Sequence, residues 1–400
     1  MIGSASELGL LVASVDFGYG SSGKLASILA HMPGYRCVLA GSTHSRHITA
    51  SERFEAYYPG LATVQDVQEV ARRHRLSGAL VVLNPDFADL CERASLPTVY
   101  VDSLAYLWTD YDPVPTGATA YCAQMFPFLP SLSWPTLRRI RNLQWVEGIV
   151  PGSAAPSEPP SSIDALINLG GLGTHLLQPH EAAYPVIVVD AALRALARFG
   201  ARRVRLTGNL AEAKLSAVVE RHSALDIEAG PVRHQEFQAL MTSASVILTS
   251  PGLTTLIESG ALDRPTVVLP PQNLSQFFNA EAIALCSDRP GVVVSWPQDV
   301  LDRSQVESVR VDGEDEALRY IYRVIAAHEN DADLVERLAG TILGALREAT
   351  ANPSATAEYA RLVGLDGAGQ VAKVVSRTFQ ASTPATAAGP VGTEVGPARD

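Results

Sequence analysis

One stretch of the sequence, residues 246–281, restricts the fold more than any other. It reads VILTSPGLTTLIESGALDRPTVVLPPQNLSQFFNAE. A short apolar run at Val246–Thr249 predicts a buried strand, and the apolar residues of Leu253–Ala261 recur at helical spacing. A second β-branched run, Thr266–Leu269, stops at two prolines, and another helix begins at Asn273. The pattern predicts a β-α-β unit with parallel strands.

The turn that joins the first strand to its helix has the chemistry of an anion site. Ser250-Pro-Gly252 leads directly into Thr254 and Thr255 at the start of the helix. Such a turn exposes backbone N–H groups and the positive end of the helix dipole, which favours binding of a diphosphate. Glu258 lies one turn further on, where a carboxylate is placed to accept from ribose hydroxyls. The alternative is an ordinary β-α-β unit in which Thr254 caps the helix.

The rest of the chain alternates strands with helices in two halves. A chain of 400 residues is too long for one ordinary core, and a segment rich in proline and serine separates the halves. We therefore predict an α/β protein with two doubly wound domains. The expected boundaries are 1–150 for the first domain, 151–162 for a linker, 163–365 for the second domain and 366–400 for a disordered tail.

The composition excludes several classes of protein. The net charge of −11 argues against nucleic acid or an anionic membrane as partner. Apolar residues make up 47% of the chain, but they form no run long enough to cross a bilayer. The four cysteines are far apart and match no metal or disulfide spacing. We expect free thiols and a cytoplasmic protein.

The glycine-rich loop after the first strand matches two nucleotide-binding patterns incompletely. Gly18-Tyr-Gly-Ser-Ser-Gly23 fits the dinucleotide motif, but the second strand ends in Leu39-Ala-Gly41 without the acid that holds the ribose of NAD. The same loop fits a phosphate-binding loop through Lys24, but Leu25 replaces the Ser or Thr that holds magnesium. NAD is disfavoured, and an ATPase stays as an alternative.

The stretch at 246–281 resembles the donor-binding region of GT-B glycosyltransferases. The resemblance rests on three motifs: Gly252-Leu-Thr-Thr-x-x-Glu258, a Gly-Ala-x-x-x-Pro265 step, and Pro270-Pro-Gln-Asn-x-x-Gln-x-x-Asn-Ala280. It implies two Rossmann-like domains facing a central cleft. Ser275 departs from the family, since many members have Asp there. The implied donor contacts are Ser250, Gly252, Thr254 and Thr255 for the diphosphate, Glu258 for the ribose, and Gln272, Asn273 and Gln276 for the sugar.

Other loops complete the expected site by the same resemblance. The Asn168-Leu-Gly-Gly-Leu-Gly173 loop resembles the one that closes on the diphosphate, and the turn before residue 234 is expected to contact the nucleobase. The first loop of the first domain is expected to face the acceptor. These expectations assign Gly171, Leu172 and Gly173 to the diphosphate, Val232 and Arg233 to the nucleobase, and Tyr19, Gly20 and Ser21 to the acceptor.

Charged and aromatic residues that follow strands of the first domain are the candidates for chemistry. Asp16, His44 and Asp102 are candidates for taking a proton from the acceptor. Lys24 and Arg46 are candidates for binding a substrate carboxylate. Trp108 is a candidate for stacking on a planar ring. Each has a plain alternative, namely a surface charge, a turn-capping acid or a buried tryptophan.

The first-domain motifs narrow the family. Asp16-Phe-Gly-Tyr-Gly-Ser-Ser-Gly-Lys-Leu25 and Val101-Asp-Ser-Leu-x-x-Leu-Trp108 resemble cytosylglucuronate synthases of nucleoside antibiotic pathways. The resemblance spans residues 10–362. It implies inverting transfer of glucuronate from UDP-glucuronic acid to cytosine or hydroxymethylcytosine, with release of UDP, without metal or cofactor.

The partners implied are small molecules, with a homodimer as a further option. Three alternatives stay open: a GT-B enzyme with another acceptor, a GT-B epimerase or hydrolase of sugar nucleotides, and a sugar-nucleotide-binding protein without catalysis.

Overall fold

A computed structural model of the protein describes residues 8–15, 20–41, 54–151, 162–170, 176–178, 181–208, 211–286, 290–352 and 355–380. The short apolar runs form two parallel sheets, one in each half of the chain, with helices between the strands. The predicted α/β fold with two doubly wound, Rossmann-like domains is confirmed.

The first sheet has seven parallel strands in the order β3-β2-β1-β4-β5-β6-β7. The chain moves outward from β1 to β3 and then returns to the other side of β1. This reversal places a topological switch point between β1 and β4, at the edge where ligands bind in open α/β sheets. The strands are β1 Leu8–Ser14, β2 Tyr35–Ala40, β3 Phe54–Tyr58, β4 Leu76–Val82, β5 Thr98–Asp102, β6 Ala120–Gln124 and β7 Leu143–Val146.

Four α-helices lie between these strands in the described part of the chain, and local capping explains where two of them begin. Thr63 and Asp66 form a reciprocal capping box at the start of α2. Asn84 accepts from the backbone of Phe87 at the start of α3, and Pro85 occupies its first turn. The helices are α1 Gly20–Ala30, α2 Val64–His74, α3 Pro85–Arg93 and α4 Trp134–Arg139.

The second sheet has five parallel strands in the order β10-β9-β8-β11-β12, so its switch point lies between β8 and β11. The strands are β8 Ile163–Asn168, β9 Arg203–Thr207, β10 Asp226–Ala229, β11 Ala244–Thr249 and β12 Thr266–Val268. The helices that follow are α5 Tyr184–Phe199, α6 Glu212–Glu220, α7 His234–Ser243, α8 Leu253–Ala261, α9 Leu274–Cys286, α10 Arg303–Arg310, α11 Glu314–Ala327, α12 Ala332–Ala351 and α13 Ala355–Val363. None of the described helices is both long and apolar enough to cross a membrane.

The last helix, α14 (Gly367–Gln380), returns to the first sheet. Its apolar face joins the core beneath β4, β5 and β6, and Phe379 lies directly over Gly78, where a Cβ atom would overlap the ring. Glu147 accepts from the backbone N–H groups of Leu365 and Asp366 at 2.8 and 2.9 Å, which anchors the turn before this helix. The prediction of disorder from residue 366 is therefore wrong for residues 367–380. The remainder, 381–400, lies outside the described residues.

Three local expectations also change. β3 and β6 were not predicted, because β3 is a half-buried edge strand and β6 lies among irregularly spaced aromatic residues. The β-branched run Val292–Ser295, whose composition predicts a strand, forms only one bridge between Val293 and Val268 and is preceded by a short 3₁₀ helix. The four cysteines form no disulfide bond with one another.

Candidate functional site

The carboxyl ends of β8 and β11 meet at the switch point of the second sheet, and Asn168 joins them. Its amide nitrogen donates to Thr249 Oγ1 at 3.2 Å and to Thr255 Oγ1 at 3.3 Å. Its carbonyl oxygen accepts from the backbone of Gly170 at 3.1 Å. The Asn168 backbone accepts from the Ser250 N–H at 2.9 Å. A single side chain therefore holds the loop after β8 against the turn after β11.

Helix α8 begins at this turn with an open N-terminus. Gly252 is the N-cap residue, and no side chain caps the helix. The alternative in which Thr254 acts as the cap is therefore wrong. The N–H groups of the first turn are left for another acceptor, and the helix dipole adds positive potential there. Gly252, Thr254 and Thr255 are half-buried, whereas Ser250 is buried.

Lys24 reaches this helix from the first domain. Its Nζ donates to Thr254 Oγ1 at 2.6 Å, although 230 positions separate the two residues in the chain. Lys24 is only 3% exposed. Burial lowers its pKa to about 8, and the nearby Glu258 carboxylate partly opposes that shift.

Glu258 lies on the same face of α8, four residues after Thr254, and is 7% exposed. Burial raises its pKa to about 7, while Lys24 and a hydrogen bond with Gln238 act in the opposite direction. The two shifts bring the pKa of Lys24 and the pKa of Glu258 to within about one unit of each other, near neutral pH. Strongly shifted titratable groups at a switch point are typical of a functional site.

The segment before α9 is braced by its own side chains. The Asn273 side chain accepts from the Gln276 N–H at 3.1 Å and from the Ser275 hydroxyl at 2.9 Å. Gln276 Oε1 accepts from the Gln272 N–H, and Gln272 Nε2 donates to the Leu169 carbonyl. The three predicted sugar contacts are buried and form one framework beside β8. Ser275, which departs from the donor-binding pattern that the sequence resembles, belongs to that framework.

A residue that the sequence analysis did not single out connects this framework to the first domain. The Asn279 side chain accepts from Tyr106 Oη at 2.7 Å and donates to the Pro251 carbonyl at 2.8 Å. Nearby, Arg310 donates to the carbonyls of Tyr106 and Leu107 at 3.0 and 2.7 Å. Asn279 is the last residue of the Gln-x-x-Asn motif. Its spacing of three residues from Gln276 indicates that both lie on one face of the helix, and this pattern could have predicted its role.

Asp102 has a structural role in this geometry. It is fully buried and accepts from the Leu104 N–H and the Trp108 indole at 2.7 Å each, and from the Tyr121 hydroxyl at 2.5 Å. Burial raises the pKa of Asp102, while the three hydrogen bonds act in the opposite direction. The proton transfer to Asp102 stays a prediction. Trp108 is half-buried with its N–H directed to Asp102, so this carboxylate positions the ring that was expected to stack on the acceptor.

Four of the remaining assigned residues lie in the described part of the chain, and seven lie outside it. Ser21 is buried and donates to the Val15 carbonyl at 2.5 Å, whereas Gly20 is exposed at the start of α1. Val232 is half-buried and Arg233 is exposed, immediately before α7. The other assigned residues lie outside the described part of the chain: Asp16, Tyr19, His44, Arg46, Gly171, Leu172 and Gly173.

Comparison with solved structures identifies the architecture. The chain matches MurG of Acinetobacter baumannii with a TM-score of 0.52 and 9% identity, over 92% of this chain and 99% of that one. A UDP-glucosyltransferase from Polygonum tinctorium matches with a TM-score of 0.54 and 12% identity, over 93% and 99%.

The chain has a GT-B fold. UDP-GlcNAc 2-epimerase from Neisseria meningitidis also shares it, with a TM-score of 0.51 and 11% identity over 93% and 99% of the two chains. No protein-family model matches the sequence, and no curated protein matches it either. The likeness to these structures shows the fold.

Proposed function

We propose that this protein is a UDP-sugar-dependent inverting glycosyltransferase that moves glucuronate from UDP-glucuronic acid to cytosine or hydroxymethylcytosine. The observation that carries the proposal is the open N-terminus of α8, with Thr254 and Thr255 in its first turn and Glu258 one turn later. Amide groups and the helix dipole bind a diphosphate, and the carboxylate accepts from a ribose. Structural neighbours that act on UDP-sugars support the choice of nucleotide.

The reaction is one displacement at the anomeric carbon. A ring nitrogen of the pyrimidine forms the new bond and loses its proton to a base, while the bond to the β-phosphate oxygen breaks. We propose Asp16 or His44 as that base. The helix N-terminus stabilises the departing diphosphate, so the proposed chemistry runs without a divalent metal. Arg46 is the proposed partner of the glucuronate carboxylate.

The donor is tested by calorimetric titration with UDP and UDP-glucuronic acid, in EDTA and again in magnesium. We expect both to bind without metal and expect Glu258→Ala to weaken both by about tenfold or more. Glu220→Ala, an exposed glutamate of the same domain, is the matched control and should bind as the wild type does. Binding of ATP with magnesium, in the absence of UDP binding, would instead support an ATPase.

The acceptor is tested by incubating the protein with UDP-glucuronic acid and cytosine. The expected products are UDP and an ultraviolet-absorbing glucuronyl conjugate of cytosine. The structural similarity to an epimerase makes epimerase activity the alternative that the same assay tests. Conversion of a UDP-sugar into its epimer without any acceptor would assign the protein to that class, and release of free glucuronate would indicate a hydrolase.

A further inference from the structure

We infer that Lys24 carries a positive charge from the first domain onto the diphosphate of the donor and stabilises the departing UDP. The inference rests on the proposed function and gives Lys24 a different role from the predicted contact with a substrate carboxylate. It begins from the hydrogen bond of 2.6 Å between Lys24 Nζ and Thr254 Oγ1. Thr254 is the second residue of α8, so the ammonium group lies beside the helix N-terminus.

The position of Lys24 is set by the packing of α1. The Ser22 and Ser14 hydroxyls are 2.9 Å apart, which holds the start of this helix against β1. Leu25 and Ile28, on the same helix, are fully buried in the core of the first domain. Lys24 therefore extends from a rigid element at the first sheet's switch point toward the switch point of the second sheet.

The surroundings of the Lys24 ammonium group favour binding of an anion. The helix dipole and the uncapped N–H groups of α8 are themselves positive, so two positive features converge at Thr254. Within the described part of the chain, Thr254 is the hydrogen-bond acceptor of Lys24, and it is neutral. Glu258 offsets only part of the cost of burial, because the pKa of Lys24 stays lowered, at about 8. A bound diphosphate supplies the missing negative charge.

A role in leaving-group departure follows from this placement. As the bond from the anomeric carbon to the β-phosphate oxygen breaks, its electron pair stays on that oxygen. A buried ammonium group near the phosphate stabilises the new charge more than a solvated one does, since no water screens it. Because Lys24 belongs to the first domain, this stabilisation requires the two domains to be in contact.

Titration with uridine, UMP and UDP separates this role from a general loss of folding. Lys24→Met should leave uridine binding within about twofold and should weaken UDP binding by about tenfold or more, the range of a charge-assisted hydrogen bond. Lys24→Arg should recover part of the affinity. Lys373→Met removes a lysine that is 73% exposed in the same domain, and it should bind all three ligands as the wild type does.

Proton uptake provides a readout that a purely structural lysine would not affect. A diphosphate stabilises the charged amine, so UDP binding at pH 8 should raise the pKa of Lys24 and take up protons. Calorimetry in two buffers of different ionisation enthalpy measures this uptake, which Lys24→Met should abolish.

Two results overturn the inference while leaving the proposed function intact. One is equal affinity of wild type and Lys24→Met for UDP. The other is a loss of affinity in Lys24→Met for UDP-glucuronic acid, with no loss for UDP or UDP-glucose. That result would mean that Lys24 contacts the sugar carboxylate. Failure of the wild type itself to bind UDP would overturn both the inference and the proposed function.

Discussion

Tyr106 donates a buried hydrogen bond of 2.7 Å to Asn279, and this bond links the two domains directly behind the turn that precedes α8. The Asn279 side chain in turn donates a hydrogen bond to the Pro251 carbonyl. The Tyr106 ring also stacks on Phe126, with ring centroids 3.8 Å apart. The position of the turn that begins α8 therefore depends on a side chain of the first domain.

Tyr106→Phe should destabilise the protein by about 1–2 kcal/mol, because it leaves the buried Asn279 carbonyl oxygen without its donor. It should also weaken UDP binding several-fold by loosening the Pro251 turn. Urea unfolding and calorimetric titration measure the two effects. Tyr359→Phe is the matched control, since the buried Tyr359 hydroxyl has no hydrogen-bond partner in the described residues. Equal stability of the two variants would contradict the prediction.

Asp102→Asn should lower the free energy of unfolding by about 2 kcal/mol. An amide group replaces one acceptor with a donor and cannot satisfy Leu104, Trp108 and Tyr121 together. The folded variant should keep measurable turnover if the role of Asp102 is to orient Trp108 through the indole hydrogen bond. Asp312→Asn, at an exposed position, should change neither property. Complete loss of turnover at an unchanged free energy of unfolding would indicate that Asp102 acts as the catalytic base.

Glu258→Gln should change how stability depends on pH. The folded-state pKa of Glu258, about 7, lies above the ordinary glutamate value of 4.5, so between those values the folded protein holds a proton that the unfolded chain has lost. The contribution of Glu258 is fully present below pH 4.5 and is lost as the pH rises toward 7.

The neutral glutamine removes this dependence. The wild type should therefore lose more stability between pH 5 and pH 7.5 than Glu258→Gln, by an amount on the order of 1–3 kcal/mol. Urea unfolding at both pH values gives the difference. Parallel pH profiles for the two proteins would show that burial of Glu258 does not control this window.

Gly78→Ala should destabilise the first domain by about 1–3 kcal/mol, because the new methyl group overlaps the Phe379 ring of α14. Trimming the ring with Phe379→Leu should make the double variant less destabilised than the sum of the single changes. Gly34→Ala is the control, since a Cβ atom there meets open space. Additive effects of the two changes would mean that α14 does not pack on Gly78 in solution.

The strand and helix that frame the predicted donor site were predictable from local pattern. Helix α8 spans Leu253–Ala261, as the apolar spacing predicted, and the strand before it ends at Thr249. Periodicity, glycine and proline report backbone conformation and burial within a few turns, so they place such elements well. The same local signals failed for β3, whose side chains are only half-buried.

Side-chain partners were less predictable than elements. The resemblance assigns Gln272, Asn273 and Gln276 to the sugar, which stays a prediction. Their hydrogen bonds to one another and to Leu169 depend on the approach of α9 to β8. Asp102 is the last residue of β5, a position typical of an acid at a ligand-binding edge, yet its three donors come from its own domain. No pattern along the chain distinguishes an accessible carboxylate from an enclosed one.

The sequence by itself determined the alternation of strands and helices, the division into two sheets and the anion-favouring turn at residues 250–255. Each of these depends on neighbours in the chain, through hydrogen bonds and burial with a short period. Only the tertiary structure decided that Lys24 meets Thr254, that Tyr106 meets Asn279 and that α14 returns to the first sheet. These contacts join residues more than 170 positions apart, and they form only when the cores of both domains have packed and brought their switch points together.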